Sequence, residues 1–551
     1  MRAPALLLAV LLAGCPQADD DDAANDDDLA DDDDSADDDD SGSDDDDTPT
    51  TWRSALYPLD WTPAHEVEGA FLHDFSYAGY HRSELPPPDT ATWTGFDVTT
   101  EGADPTGATD STAAIQAAID AASVAGGRVD LPAGTYRIDG TLLVTASDVA
   151  LVGVGPDTQL WFTRLEGMTN QGHLTFRGQR TYGPDLPLAA DGADRGHDVL
   201  VDDASSLSPG DPVDLGWTIT EDFVGQHGME SFWEVSNGQW RAFFRREVVA
   251  VDTSATPHVV TLDVPLRYPT LVRDGASLRT VTGLLTDVGV ADLAVATAGD
   301  PADAWSIDRS HAILLDRVAD AWVQGVESFA SPEPLANDEH LASGGVKVLD
   351  SKRVTIADCS LALPQNRGGG GNGYLYEVSR VSDVLIRDSL AWRGRHNFIQ
   401  NWDFGTSGVV WLRTTSTGGE ALTGRGGFGT VGASETHHSL AMANLVDDSM
   451  TDDAWKMVNR RTFSSGAGHT ATAAAFWNVQ GTGALTSFQY GLGYVIGTGP
   501  DIVVTTDLSQ GGLFAEASGT EPEDWREGIG DGGSLEPRSL FEDQLSRRLA
   551  R

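Results

Sequence analysis

The stretch FDVTTEGADPTGATDSTAAIQAAIDAASVAGGRVDLPAGTYRIDGTLLV, Phe96 to Val144, reads as strand, turn, helix, turn, strand. Asp110 or Ser111 can cap the helix, because a short polar side chain there satisfies a free N–H of the first turn. Ile115, Ile119 and Ala122 recur at helical spacing and form one apolar stripe. Gly126-Gly127 ends the helix, and Pro132-Ala133-Gly134 turns the chain into a strand at Tyr136 to Ile138. A helix with a single apolar stripe cannot bury itself. Over residues 111 to 125 it is suited to covering the open end of a solenoid.

Downstream, a short signature of one aliphatic or aromatic residue followed two positions later by a polar or small one recurs. It begins at Val290, Val323, Ile356, Ile386, Leu412, Met442 and Phe476, a spacing of 26 to 34 residues. A near-constant period means that one supersecondary unit is stacked repeatedly. The 61 glycines suit a fold with many tight turns. The expected fold is therefore all-β, a single-stranded right-handed parallel β-helix with an N-terminal capping helix.

The opening segment resembles that of the pectate-lyase superfamily, in its rhamnogalacturonase-like and epimerase-like members. The residues that carry the resemblance are Gly102-Ala103-Asp104, Asp110-Ser111-Thr112, Ala114-Ile115-Gln116, Gly126-Gly127, Leu131 to Tyr136 and Leu142. SYAGY, Ser76 to Tyr80, is similar to the lead-in of some members. The resemblance implies the parallel β-helix. It does not choose a reaction, because the same opening precedes hydrolases, lyases, epimerases and phage tailspikes.

The expected organisation has five parts. Residues 1–14 form a signal peptide, with Arg2 as its positive end and Ala5 to Leu12 as its apolar run. Leu12-Ala13-Gly14-Cys15 resembles a bacterial lipobox, which implies a lipid on Cys15 and a place on the cell envelope, at a bacterial outer membrane or its extracellular face. Residues 15–50 form a tether in which Asp19 to Asp47 contribute 19 aspartates and no other charged residue. Such a run repels itself into an extended, solvated chain. Residues 51–95 are an irregular lead-in, residues 96–515 the β-helix, and residues 516–551 a tail with a closing helix. That helix is capped by Ser539-Leu540-Phe541-Glu542 and has Phe541, Leu545 and Leu549 on one face. A small β insertion is expected at about 197–268, from DVLVDDASSLSPGDPVDLGW and REVVAVDTSATPHVVTLDVPL. Cys359, in VTIADCSLAL, is expected as a small buried apolar residue.

The formal net charge of −50 argues against nucleic acid as a partner, since phosphate binding needs basic patches. Residues 390–470 are the exception to this acidity, with seven lysines and arginines against seven acids and four histidines. Stacked rungs would line these side chains along one groove, suited to a polysaccharide. Asp452-Asp453 followed by Gly468-His469 resembles in part the paired aspartates and Gly-His of polygalacturonases, but the later Arg-x-Lys of that pattern is missing. A pair of carboxylates serves hydrolysis. β-Elimination instead needs a base and a cation beside a uronate carboxylate. The candidate catalytic residues are Asp453, Arg460, His469, Lys456 and His396, and the candidate substrate-binding residues are Trp402, Trp455, Arg461 and Arg395. Calcium is the candidate cofactor, with Asp448, Asp452 or Asp453 as ligands. The expected function is cleavage of an extracellular, acidic polysaccharide by lyase or hydrolase chemistry. The alternative is a β-helix that binds glycans or builds a surface structure without catalysis.

Replacing Cys15 with Ala should move the protein from the membrane to the soluble fraction. Deleting residues 16–50 should leave the Tm of the body unchanged. Membrane retention of the Cys15→Ala chain would exclude anchoring at this residue.

Overall fold

The computed structural model describes residues 51–421, 432–510 and 521–551. Cys15, the aspartate-rich stretch and Arg425 lie outside the described residues.

The body is a right-handed parallel β-helix. Its first long sheet runs through Gly95–Asp97, Gly127–Asp130, Val149–Val152, Leu285–Ala296, Val318–Ser328 and Lys352–Ala357, and on to Trp525–Glu527. The second has ten strands, from Leu142–Val144 through Gly172–Arg177, His311–Asp316, Gly344–Leu349, Tyr374–Ser379, His396–Gln400, Ser434–Thr436 and Ala454–Met457 to Val503–Thr505. Neighbouring strands pair in parallel throughout both sheets.

The core is the stack of inward side chains. Val290, Val323, Ile356, Ile386, Trp411, Val446, Phe476 and Val495 lie in register on successive strands, all buried. The sequence period finds the first four and Phe476. It slips at Leu412, where Trp411 is the inward residue, and at Met442, where Val446 is. Two positions after each inward residue the backbone turns into the left-handed region, at Asp292, Gly325, Asp358, Asp388, Arg413, Asp448 and Asn478. Asp, Asn and Gly tolerate that conformation better than other residues, which explains their recurrence. Arg413 breaks the pattern, and the slip in period occurs at its rung. Cys359 lies within this core, and burial pushes its thiol up to about 12.

The expected capping helix is present at Thr112–Ala125, with Ile115, Ala118, Ile119 and Ala122 buried. Asp110 Oδ1 accepts from the N–H of Thr112 at 2.9 Å. The insertion is larger than the expected 197–268. Its six antiparallel strands extend from Thr181–Pro187 to Ser277–Thr282 and pack a second core, which also takes in Phe404, Leu440 and Met442 of the rungs, with Trp217 stacked on Phe243 at 3.6 Å. The two strands beyond the expected bounds, TYGPDLP and SLRTVT, contain a mid-strand proline or mostly polar residues, which hides them from a hydrophobic-periodicity reading.

The C-terminal helix, Leu540–Leu549, forms as expected, and Ser539 Oγ accepts from the Glu542 N–H at 3.1 Å. It does not close an end of the solenoid. Leu540 and Phe541 join the lead-in residues Leu56, Tyr57, Trp61 and Phe75 against Val410, Leu445, Trp477 and Ile496, on the outer face of the first sheet. Leu549, expected on the buried face, is exposed. Buried Asp447 anchors the helix start, accepting from Ser539 Oγ at 2.7 Å and from the N–H groups of Leu540 and Phe541 at 3.1 and 2.9 Å. Gln544 then clamps the lead-in, donating to His73 O at 2.9 Å and accepting from Phe75 N at 2.8 Å.

Asp447→Ala leaves three buried donors without their acceptor, at about 1–3 kcal/mol for each group. The variant should unfold at clearly lower urea concentration than the parent, and Asp447→Asn should fall between them. An unchanged midpoint for Asp447→Ala would show that the helix is not anchored through this carboxylate.

Candidate functional site

On the second sheet, a charged residue stands between two buried apolar ones in each of several strands: Val346-Lys347-Val348, then Tyr376-Glu377-Val378. Alternation sends the apolar side chains inward and the charged ones outward. Register then stacks the outward row as Leu314, Lys347, Glu377, Ile399, Glu435 and Lys456. At about 4.8 Å per strand the row from Leu314 to Lys456 spans roughly 24 Å.

A cleft of about 560 Å³ opens over this face. Its lining includes the cations Arg309, Lys347, Arg380 and Arg395, the histidines His311 and His437, Tyr374 and Trp402, and no carboxylate among the described residues. Gly370 and Gly371 lie in the lining, in a glycine run after Arg367. The insertion abuts the neighbouring turns: Arg241 pairs with Asp403 at 3.0 Å, Trp233 Nε1 donates to Ala467 O at 3.0 Å, and Arg245 Nη1 to Gly405 O at 2.9 Å.

Two carboxylates sit buried along this face. Glu377 takes Lys347 Nζ at 2.9 Å and Asn401 Nδ2 at 2.9 Å, with His311 Nε2 at 3.8 Å. Burial alone would raise it, but Lys347, His311 and Asn401 outweigh that and hold its carboxyl down at about 2. Glu435 is likewise buried, and Arg460 at 2.6 Å, His396 and His437 hold it well below the usual carboxylate range. Burial keeps His311 neutral, lowered to about 3, and pushes the Tyr374 phenol up to about 12.

Of the sequence candidates, His396, Arg460, Lys456, Arg395 and Trp402 come to this face. His396 and Arg460 both approach Glu435. Lys456 is beside Glu435 in register. Arg395 lines the cleft, with its guanidinium 5.9 Å from the Tyr374 ring centroid. Trp402 is 45% exposed and lies 4.4 Å from the His438 ring. The others lie elsewhere. Trp455 points into the solenoid, 1% exposed and stacked on Phe398 at 5.7 Å, as strand alternation at its position requires. His469 is fully buried between Trp233 and Tyr490, where the insertion meets the rungs. Asp453 is buried as an acceptor for Ser416 Oγ, Asn397 Nδ2 and Thr451 Oγ1 at 2.9 Å each, so it braces a bend. Arg461 follows Arg460 in a left-handed backbone conformation and does not line the cleft.

The three expected calcium ligands do not converge. Asp448 accepts from Arg538 Nε at 3.0 Å, Asp452 from Gly418 N at 2.9 Å, and Asp453 makes the bonds above. They form no oxygen cage for that ion. Lys347, Glu377, His311, Tyr374, Arg309 and Arg380 lie outside the charge-neutral window of residues 390–470, so that window does not point to them. The signal for two of them was available: a lone charge flanked by aliphatic or aromatic residues, repeated 30 positions later.

Residues 95–175 match the family model described as rhamnogalacturonase A/epimerase, pectate lyase-like. Among solved structures, the chain is similar to the tailspike gp61 of Pseudomonas phage phi297, at 12% identity over 75% of each chain with a TM-score of 0.33. It is similar to the A-module of the mannuronan C-5 epimerase AlgE6 of Azotobacter vinelandii, at 11% identity over 79% of this chain and 98% of that one, with a TM-score of 0.28. A third is PfbA, a surface adhesin of Streptococcus pneumoniae, at 10% identity over 79% and 92%, with a TM-score of 0.33. No curated protein matches the sequence.

Lys347→Met should invert the pH response at Glu377. With lysine present the carboxyl is depressed below its ordinary 4.5, so its contribution to stability is full above that value and is lost as pH falls toward about 2. Without lysine, burial dominates and raises the carboxyl, so the variant should gain stability on acidification from neutrality. Urea unfolding of both proteins across this range measures it. Parallel pH profiles would show that Lys347 does not set the ionisation of Glu377.

Proposed function

We propose that this protein is a carbohydrate-active enzyme that binds an acidic polysaccharide in the second-sheet cleft and cleaves it by β-elimination. What supports the reading is the lining of that cleft: four cations, two of them paired with Glu377 and Asp350 behind the lining, and no carboxylate among the described residues, in a chain of net charge −50. Among the described residues, neither Arg309 nor Arg395 is in an ion pair with a carboxylate, so both are available to an anionic ligand. Trp402 offers an exposed aromatic face at the same cleft, on which a sugar ring can stack.

Elimination requires a cation to stabilise charge on the uronate carboxylate, a base for the adjacent proton and a donor for the leaving oxygen. Arg309 and Arg395 are assigned the first role. Neutral His311, with neither ring nitrogen hydrogen-bonded, is assigned the second, and Glu377 beside it stabilises the imidazolium that forms. Tyr374, a neutral phenol, is assigned the third. Hydrolysis by a carboxylate pair needs one carboxyl kept protonated. Glu377 and Glu435 are both held ionised, which favours elimination. We also propose that Cys15 carries a lipid that anchors the body at the cell envelope through the aspartate-rich tether.

Pectate, rhamnogalacturonan, alginate and neutral β-glucans, assayed for ultraviolet-absorbing unsaturated ends and for reducing ends, test this. Unsaturated product from an acidic glycan is expected, with His311→Ala and Arg395→Ala each lowering turnover by about 100-fold or more. Reducing ends without unsaturation would replace elimination by hydrolysis. Activity on neutral glucans alone would overturn the charge argument, and binding without cleavage would make the protein a glycan-binding β-helix.

A further inference from the structure

We propose that His396, Glu435 and His437 form a binding site for one divalent transition-metal ion, of the zinc or cobalt type, beside the cleft. The three offer ligand atoms that all lie within 4.8 Å of one another, and all three residues are buried. Among the described residues, no other group of three or more histidine, cysteine, aspartate or glutamate side chains converges in this way.

The hydrogen bonds around the trio decide the argument. His396 Nδ1 is bonded to the carbonyl of Ala433. A carbonyl only accepts, so Nδ1 carries the proton and Nε2 of the neutral ring presents a lone pair. That Nε2 is buried, has no hydrogen-bond partner, and stands 3.5 Å from Glu435 Oε1. A lone pair facing a carboxylate oxygen repels it, and a cation between them turns the repulsion into two bonds. His437 presents Nδ1 to the same Glu435 oxygen, while its Nε2 lies 2.8 Å from Ser464 Oγ. On metal binding the neutral ring takes its other tautomer: the proton leaves Nδ1 and is carried on Nε2, which donates to Ser464 Oγ, so Nδ1 is freed as a second nitrogen ligand.

Each ligand is also held from behind. Ala433 orients His396, Ser464 orients His437, and Arg460 Nη1 holds the second oxygen of Glu435 at 2.6 Å. Arg460 Nη2 reaches Ser464 Oγ at 3.2 Å, which joins two of the three supports. Metal-binding histidines characteristically donate their other ring N–H in this way, and outer partners of this kind tune affinity. Two imidazoles and one carboxylate suit a first-row transition metal, whereas calcium takes oxygen ligands. Three protein ligands leave a coordination position open. His437 lines the cleft, so that position is next to the proposed ligand path. The ligand set stands without the glycan reading, and its test uses no glycan.

The full chain, stripped with chelator and held in excess Ca²⁺ to occupy oxygen-only sites such as the aspartate run, should be titrated with Co²⁺ and then Zn²⁺. One Co²⁺ per chain is expected, with the visible absorption of a nitrogen-ligated, low-coordinate ion, displaced by stoichiometric Zn²⁺. His396→Ala and His437→Ala should each abolish that band. Ser464→Ala, which removes a support rather than a ligand, should weaken Co²⁺ binding by about 10–100-fold and guards against a histidine variant that fails to fold. A wild-type chain without the band, a band that survives in both histidine variants, or an unchanged affinity in Ser464→Ala would overturn the site.

Discussion

Every rung of this molecule must return the chain to the same place one strand spacing higher, and the inward stack from Val290 to Val495 enforces that return. A buried side chain that slips by one residue would point outward, because strand side chains alternate. The left-handed bends at Asp292, Asp358, Asp388, Asp448 and Asn478 fix where each strand stops, so that the next can start in register. Burial and bend together determine which side chains face out. The two outer faces are therefore consequences of the core register, and their chemistry can be varied without disturbing it.

The two faces are used differently. Outward residues on the first sheet include Val410, Leu412, Leu445 and Ile496, an apolar surface that solvent would penalise. The lead-in and the C-terminal helix cover it, and Asp447 and Gln544 join the two coverings to the rungs and to each other. The second sheet carries Lys347, Glu377, Glu435 and Lys456 outward instead, and the cleft stands over it. Burying Glu377 and Glu435 is tolerated because each has a cation within 3 Å and further donors. Removing either cation would leave an uncompensated buried charge, so the floor needs these pairs even where they touch no ligand.

The solenoid was legible because its signal is repeated and local. The helix stripe and its glycine stop mark the cap, and the recurring strand ends state the period. The period was lost where Trp411 replaced an aliphatic core residue and Arg413 replaced the usual turn residue. The covering role of the C-terminal helix was not legible, since it depends on Asp447, which is 92 residues away from Ser539. The site was legible in part. A charge-neutral window led to His396, Arg460, Arg395 and Trp402, whose neighbours fall in the same segment. It could not lead to Lys347 or Glu377, which are two rungs and one rung earlier and become neighbours only through register. It also led to Asp453, Trp455 and His469, because composition counts side chains without saying which way they point. On a strand that direction alternates, and Trp455 and Lys456, adjacent in sequence, end up on opposite sides of the wall.

If the cleft takes the acidic polysaccharide proposed above, its charge distribution would act at close range. At physiological salt, exposed charges are screened over about 8 Å, so the acidic surface of the chain repels a polyanion mainly near contact. A short anionic fragment meeting one arginine gains one screened interaction, worth little against the loss of its own hydration. A polymer lying along the face meets Arg309, Lys347, Arg380 and Arg395 together in a partly enclosed space, where screening is weaker. Lys347 and Arg380 are already committed to Glu377 and Asp350, so they position the field rather than supply free charge. Arg309 and Arg395, without carboxylate partners among the described residues, supply it. On the proposed reading, discrimination would follow from the number of anionic groups presented at the spacing of the rungs, which an isolated anion of the same chemistry would not reproduce.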